Sequence, residues 1–325
     1  AAHAGDPFAA RDQRPGDRRA EPTAPCDEDV PVSRSLLSSS RTLSASGADM
    51  PRLTATSTLT LRGGVEIPVI GLGVYQSRPG AETREAVKAA LQLGYRHVDT
   101  ARVYGNERDV AKGILESGVP RGEVFVTTKL WNSDHGYDAA LAACDQSLSR
   151  LGTDRLDLYL VHWPVERLRH DTWRAMERIL EEGKARAIGV SNYTVRHLEE
   201  LLARCNVPPA VNQVELHPFL VQQELRAFCA KHGIAVEAYA PLVKARRLDH
   251  PVVVQVAAKH GRTPAQVLVR WGLDHGVITI PKSVRKERLQ ENLDVFGFGL
   301  DAEDLAALDA LDENFRTSWD PTEAP

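Results

Sequence analysis

Residues 69–101 read VIGLGVYQSRPGAETREAVKAALQLGYRHVDTA, and this stretch decides the fold. The apolar run VIGLGV has the length and β-branched content of a short strand, whereas ETREAVKAALQLG repeats its apolar residues with helical period and ends in glycine. A second apolar run, RHVDTA, follows at once. Strand, helix and strand in such close succession demand a parallel pair, because the helix must carry the chain back across the sheet before the second strand begins. The same alternation continues through VFVTTKL, LDLYLVH, AIGVSN, VNQVEL, AVEAYA and VITIPKS, with helical stretches such as TPAQVLVRWGLDHG between them. Eight such units in about 250 residues fit a closed α/β architecture, the (β/α)8 TIM barrel, better than an open doubly wound sheet. Upstream, LTLRGGVEIPV reads as a β-hairpin turning at Gly63-Gly64.

The totals exclude several classes of function. A net charge of -4 over 325 residues leaves no basic footprint for nucleic acid, and no uninterrupted apolar run is long enough to cross a bilayer. Cys26, Cys144, Cys205 and Cys229 have no CxxC spacing, so they read as structural thiols in a reducing, cytoplasmic compartment, and no metal site is expected. Residues 1–50 are rich in Ala, Arg, Asp, Pro and Ser without apolar periodicity, and are expected to be a disordered or dispensable N-terminal extension ahead of a barrel over residues 51–325. Ser33–Ser46 has some flavour of a transit peptide, but Asp27, Glu28 and Asp29 just upstream weigh against that reading. No exposed apolar helix face calls for a partner, so a monomer is expected.

Active sites of such barrels form at the C-terminal ends of the strands. Asp99, Lys129, His162, Ser191, Asn192, Gln213, Glu215, Tyr239, Lys282 and Ser283 fall at or near those ends, and Tyr104 lies on the loop after the second strand. Taken singly, each is as easily structural; a buried lysine beside a buried aspartate is often only an ion pair. Together they have a chemical use. An ordinary phenol titrates near pH ~10 and is a weak acid at neutrality. A neighbouring ammonium favours its anion, an aspartate fixes that ammonium, and a histidine orients a carbonyl oxygen by hydrogen bond.

The pieces GLGVYQ, GYRHVDTARVYGNE, VFVTTKLW, LDLYLVHWP, AIGVSNY, VNQVELHP, AYAPL and IPKSVRKERLQENLDVFGF, in this order, resemble the aldo-keto reductase family from about Thr58 to Asp320. The resemblance implies a catalytic tetrad of Asp99, Tyr104, Lys129 and His162, with Tyr104 as proton donor in carbonyl reduction and NADP(H) as the cofactor laid across the barrel mouth. It implies that Tyr239 stacks on the nicotinamide, that Ser191, Asn192 and Gln213 bond its carboxamide, and that Gly73, Val74, Pro241 and Leu242 approach the cofactor. By the same resemblance Lys282, Ser283, Val284, Arg285 and Arg288 surround the adenosine 2'-phosphate, with Glu291 and Asn292 near the adenine. Tyr75, Trp131 and Trp163 line the mouth for a small carbonyl substrate, Trp173, Trp271 and Trp319 are left as structural, and the C-terminal tail lies over the opening. GLGVYQ is no Rossmann fingerprint, since Gln76 stands where a third glycine would be needed.

The chain departs from the family after AYAPL, where Val243 replaces a usual glycine and the loop VKARRLDHP is short. Close backbone approach is less favoured there, and Lys244, Arg246 and Arg247 either contact phosphate or are simply solvated. The short loop is similar to that of the bacterial diketogluconate reductase-type members. Two alternatives stand beside the reductase: a catalytically idle NADPH-binding subunit, and a barrel enzyme using Lys129 as a Schiff-base nucleophile.

Overall fold

The structure is a computed structural model and describes residues 53–324; the expected N-terminal extension and Cys26 lie outside them. The hairpin comes first, as β1 (Thr58–Thr60) and β2 (Glu66–Pro68), antiparallel with Thr58 opposite Pro68. Its turn uses Gly63 and Gly64 at φ 87° and 78°, a left-handed backbone that costs glycine little.

The eight units follow. They are β3 (Leu72–Gly73), α1 (Ala81–Leu93), β4 (His97–Asp99), α2 (Glu107–Ser117), β5 (Phe125–Leu130), α3 (Tyr137–Leu151), β6 (Leu156–Val161) and α4 (Arg169–Glu181), then β7 (Ala185–Ser191), α5 (Val195–Leu202), β8 (Val211–Glu215), α6 (Gln223–Lys231) and β9 (Ala235–Tyr239). Two helices, α7 (Pro251–His260) and α8 (Pro264–Asp274), separate β9 from β10 (Ile278–Thr279), and α9 (Lys286–Leu293) and α10 (Ala302–Asp309) complete the chain. Strands β3 to β10 lie side by side in chain order, all parallel. The ring closes between its first and last members: Gly71 N donates to Thr279 O at 2.9 Å and Thr279 N donates to Val69 O at 2.9 Å.

The helices form where the sequence gives them one apolar face. In α1, Ala86, Val87, Ala90 and Leu91 are buried at i, i+1, i+4 and i+5, and Gly94 at φ 113° ends the helix in the left-handed region. Thr263 caps α8 through Gln266 N, with Pro264 in the first turn. Inside the barrel the core at the end opposite the site is Leu158, Leu160, Ala187, Val211 and Ile278 from the strands, plugged by Leu61, Val65 and Ile67 of the hairpin. Each such side chain contributes about 2 kcal/mol by leaving water, so this end of the barrel is filled with apolar side chains. Among the described residues no helix is long and apolar enough to cross a membrane, and no group of three or more His, Cys, Asp or Glu is placed to hold a metal. Cys144, Cys205 and Cys229 are free thiols, and Trp173 and Trp271 are buried in the packing around the barrel.

The tail from Glu313 onward returns over the mouth. Glu215, at the end of β8, accepts from Thr317 N at 2.7 Å, Thr317 Oγ1 at 2.5 Å and Ser318 N at 3.0 Å. Lys244 Nζ donates to Thr317 O at 2.6 Å, and the Trp319 ring packs 5.7 Å from that of Trp163. Trp319, read from sequence as structural, is half-exposed and packs against the Trp163 ring.

Candidate active site

Asp99 ends β4, Lys129 is the penultimate residue of β5, His162 follows β6, and Tyr104 closes a short helical turn after β4. Strand alternation turns all three strand residues to the barrel axis, and parallel pairing brings their ends together. Lys129 Nζ is wholly buried and donates to Asp99 Oδ1 and Oδ2 at 2.7 and 2.8 Å and to Thr100 O at 2.9 Å. Tyr104 Oη lies 3.5 Å from the same nitrogen, and its ring is 5.8 Å from the His162 ring at 74°. The structure thus brings the four residues of the expected tetrad into one cluster.

The electrostatics differ in one respect from the sequence expectation. The sequence alone implies that Lys129 draws the phenol downward. Here burial, and next the negative Asp99, hold Tyr104 well above an ordinary phenol, because the ammonium is already shared between Asp99 and Thr100. Tyr104 therefore keeps its proton throughout the neutral range. His162 is driven well below its ordinary value by burial and then by Lys129, so it is a neutral imidazole. Its Nδ1 is buried without a hydrogen-bond partner among the described residues.

The neighbours expected around a nicotinamide are present, though partly committed to one another. Tyr239 Oη donates to Asn192 Oδ1 at 2.8 Å, Asn192 Nδ2 donates to His162 O at 3.0 Å, and Ser191 Oγ donates to Gln213 O at 2.8 Å. These bonds hold Ser191, Asn192, Gln213 and Tyr239 against one another, and Asn192 holds its place at φ 63°. Gly73 and Val74 are buried at the end of β3, and Val74 O accepts from Asn106 Nδ2 at 3.1 Å. Beyond β9, Pro241 and Leu242 lead into a turn in which Val243, Lys244 and Ala245 all take positive φ, at 53°, 49° and 62°. The chain thus adopts a glycine-like backbone without glycine, a strain of order 1–3 kcal/mol per residue.

At the other end of the expected cofactor track, Lys282, Arg285 and Arg288 are exposed around the start of α9, and none is ion-paired among the described residues. Ser283 Oγ accepts from Arg285 N at 3.1 Å, Val284 lies between, and Asn292 is buried on α9. Lys282 also faces Glu82, whose carboxyl is held below its ordinary value chiefly by Arg78 and in smaller part by Lys282, and the exposed basic cluster as a whole suits a phosphate. Glu291 instead accepts from Thr263 Oγ1 at 2.6 Å, so its carboxylate is engaged by α8's cap. Lys244 and Arg247 are bonded to the tail, the latter to Glu313 at 3.0 Å, so they are not simply solvated.

Three aromatics stand where the mouth was expected: Tyr75 is 5.0 Å from the Tyr104 ring, Trp131 is 5.2 Å from His162, and Trp163 meets Trp319. Two further buried residues, marked by no sequence motif, join the cluster. Glu237 of β9 shares the Gln213 amide with Asp99, and His97 of β4 packs beside it. Their signal was the alternation itself, since each lies two residues before a rim residue on the same strand face.

The Aldo/keto reductase family matches residues 69–313. Glyoxal reductase of Bacillus subtilis is 52% identical over 266 residues, covering 82% of this chain and 96% of that protein. A mutant of the protein Gox0644 solved in complex with NADPH shares 46% identity at a TM-score of 0.79, covering 83% of this chain and 99% of its own. The Bombyx mori aldo-keto reductase in complex with NADP shares 37% identity at a TM-score of 0.76, covering 81% and 95%. With the family matched over most of the chain and the barrel closed around these strand ends, the chain belongs to the aldo/keto reductase family.

Proposed function

We propose that the chain is an NADP(H)-dependent oxidoreductase that reduces an aldehyde or ketone to an alcohol, with Tyr104 as proton donor. The observation that carries this is the buried Lys129 bonded to both oxygens of Asp99 with the Tyr104 hydroxyl 3.5 Å away. NADPH, when bound, supplies the hydride to the carbonyl carbon. The residues do the rest. Neutral His162 offers an N–H to the carbonyl oxygen and keeps it near Tyr104. Because Tyr104 holds its proton until negative charge grows on that oxygen, it protonates the developing alkoxide and not the ground-state carbonyl. The phenolate left behind is then stabilised by Lys129, a contact that gains strength only as the proton moves. Asp99 serves as the fixed counter-charge of Lys129.

Ser191, Asn192, Gln213 and Tyr239 would hold the nicotinamide end and Lys282, Arg285 and Arg288 the 2'-phosphate. Tyr75, Trp131, Trp163 and Trp319 give the substrate an aromatic channel, which suits small apolar or aromatic carbonyl compounds. The Schiff-base alternative loses ground because Lys129 Nζ already directs its hydrogens to three oxygens and is wholly buried, leaving no free lone pair for a carbonyl carbon. The test is a panel of aldehydes and ketones scored by loss of NADPH absorbance. Carbonyl-dependent oxidation is expected, and none across the panel would set this reading aside.

A further inference from the structure

Strand β9 places Glu237 two residues before Tyr239, on the inward face, opposite Gln213 of β8 and Ile278 of β10. It is wholly buried. Its Oε2 accepts from Gln213 Nε2 at 2.7 Å, and the same nitrogen donates to Asp99 Oδ2 at 2.9 Å. One amide thus ties two buried carboxyl groups together with both of its hydrogens. One ammonium, Lys129, serves the pair, and it is bonded to Asp99.

The charges facing Glu237 are few. From β4 come Asp99 and His97, from β5 Lys129, and from the loop after β4 the phenol of Tyr104. His97 Nε2 is 3.6 Å from Glu237 Oε1, but burial pulls its imidazole down to about 3, so it is no cation. Two ionised carboxylates with one lysine would leave an uncompensated negative charge in a dry barrel, so one carboxyl keeps its proton. Asp99 has the ammonium on both oxygens; Glu237 has an Oε1 without a hydrogen-bond partner among the described residues. The proton belongs on Glu237.

We propose that Glu237 is a positioning residue for the carbonyl chemistry: it acts through Gln213 and Asp99 on the Lys129–Tyr104 pair, and its ionisation shuts turnover down at alkaline pH. This rests on the proposed reductase function. When Glu237 loses its proton to solvent, a second carboxylate joins Asp99. That charge opposes formation of the Tyr104 phenolate and competes for Lys129, so the proton transfer from Tyr104 becomes harder. Burial first, and then the charge of Asp99, push the Glu237 carboxyl up to about 8, which puts this transition just above neutrality.

The stability consequence has a definite sign. A carboxyl whose folded value is raised stabilises the fold fully below its ordinary value of 4.5, and that contribution is lost as pH rises through about 8. Two readouts follow. The first is kcat/KM for an aromatic aldehyde at saturating NADPH between about pH 6 and pH 10, in the parent and in Glu237→Gln, which keeps the hydrogen bond and removes the titration. The parent should show an alkaline limb centred near 8, and the variant should lose it or move it upward by at least about tenfold in proton concentration. A parent without such a limb, or limbs that superimpose, overturns the inference and leaves the reductase reading standing. The second is denaturant unfolding of both proteins over the same range, independent of turnover. The parent should lose stability relative to the variant as pH rises toward about 8, and parallel curves would overturn the inference even if no carbonyl is ever reduced.

Discussion

Replacing Lys129 by methionine tests the ion pair at the centre of the barrel. The side chains are of similar length, so the change removes a charge and three hydrogen bonds with little change in volume. Asp99 would retain only Gln213 Nε2, at 2.9 Å, as a donor among the contacts described. Leaving a buried carboxylate without its cation costs about 3–5 kcal/mol. For a domain of this size that corresponds to a fall in melting temperature of roughly 5–15 °C. Part of the loss should be recovered in Asp99→Asn/Lys129→Met, where no charge is left behind, so the two substitutions should be strongly non-additive. Carbonyl reduction should fall by about 10²-fold or more in both, because neither can stabilise a Tyr104 phenolate. The assays are thermal unfolding by circular dichroism and aldehyde-dependent NADPH oxidation. A single variant that melts within about 2 °C of the parent and still turns over would refute both the energetic and the catalytic argument.

Two further outcomes are expected. Arg288→Ala should lower the ratio of kcat/KM for NADPH over NADH by about 10–10²-fold, the value of one charged hydrogen bond to a phosphate, and an unchanged ratio would remove α9 from the 2'-phosphate site. Glu215→Ala should free the tail from three hydrogen bonds and raise KM for aromatic carbonyls more than it lowers kcat, with faster proteolysis after Glu313; equal proteolysis would show that the latch is idle. The latch also has a pH sign. The Glu215 carboxyl is held below its ordinary value of 4.5 by His217 and Thr317 against the opposing effect of burial, so its contribution is present above that value and is lost as pH falls through the folded value.

The barrel was legible because each strand is a short apolar run and each helix a periodic one; VIGLGV and RHVDTA on either side of ETREAVKAALQLG settle parallel pairing with no long-range information. Gly63-Gly64 likewise announces the hairpin turn. What was not legible depends on contacts between distant segments. That Glu215 would anchor Thr317, or that Glu237 would share one amide with Asp99, follows from strand register, which composition does not encode. Val243 misled for a different reason. Its side chain disfavours positive φ, yet the loop adopts φ 53° there because Val243 itself is buried and the next residues are tied to the tail. The direction of the Tyr104 shift was missed because the ammonium beside it is already neutralised by Asp99 and Thr100, a partition that only three-dimensional geometry reveals.

The proposed reduction turns on the phenol of Tyr104. Tyr104→Phe leaves the ring against Tyr75 and His162 and removes only the hydroxyl 3.5 Å from Lys129. The decisive measurement is carbonyl reduction by this variant under conditions where chemistry limits the rate, alongside its NADPH affinity by fluorescence titration. Turnover should drop by about 10²–10⁴-fold, the contribution of a positioned general acid, while NADPH binds as in the parent. A variant that binds NADPH normally and keeps more than about a tenth of parent turnover would contradict the assignment of Tyr104 as the proton donor.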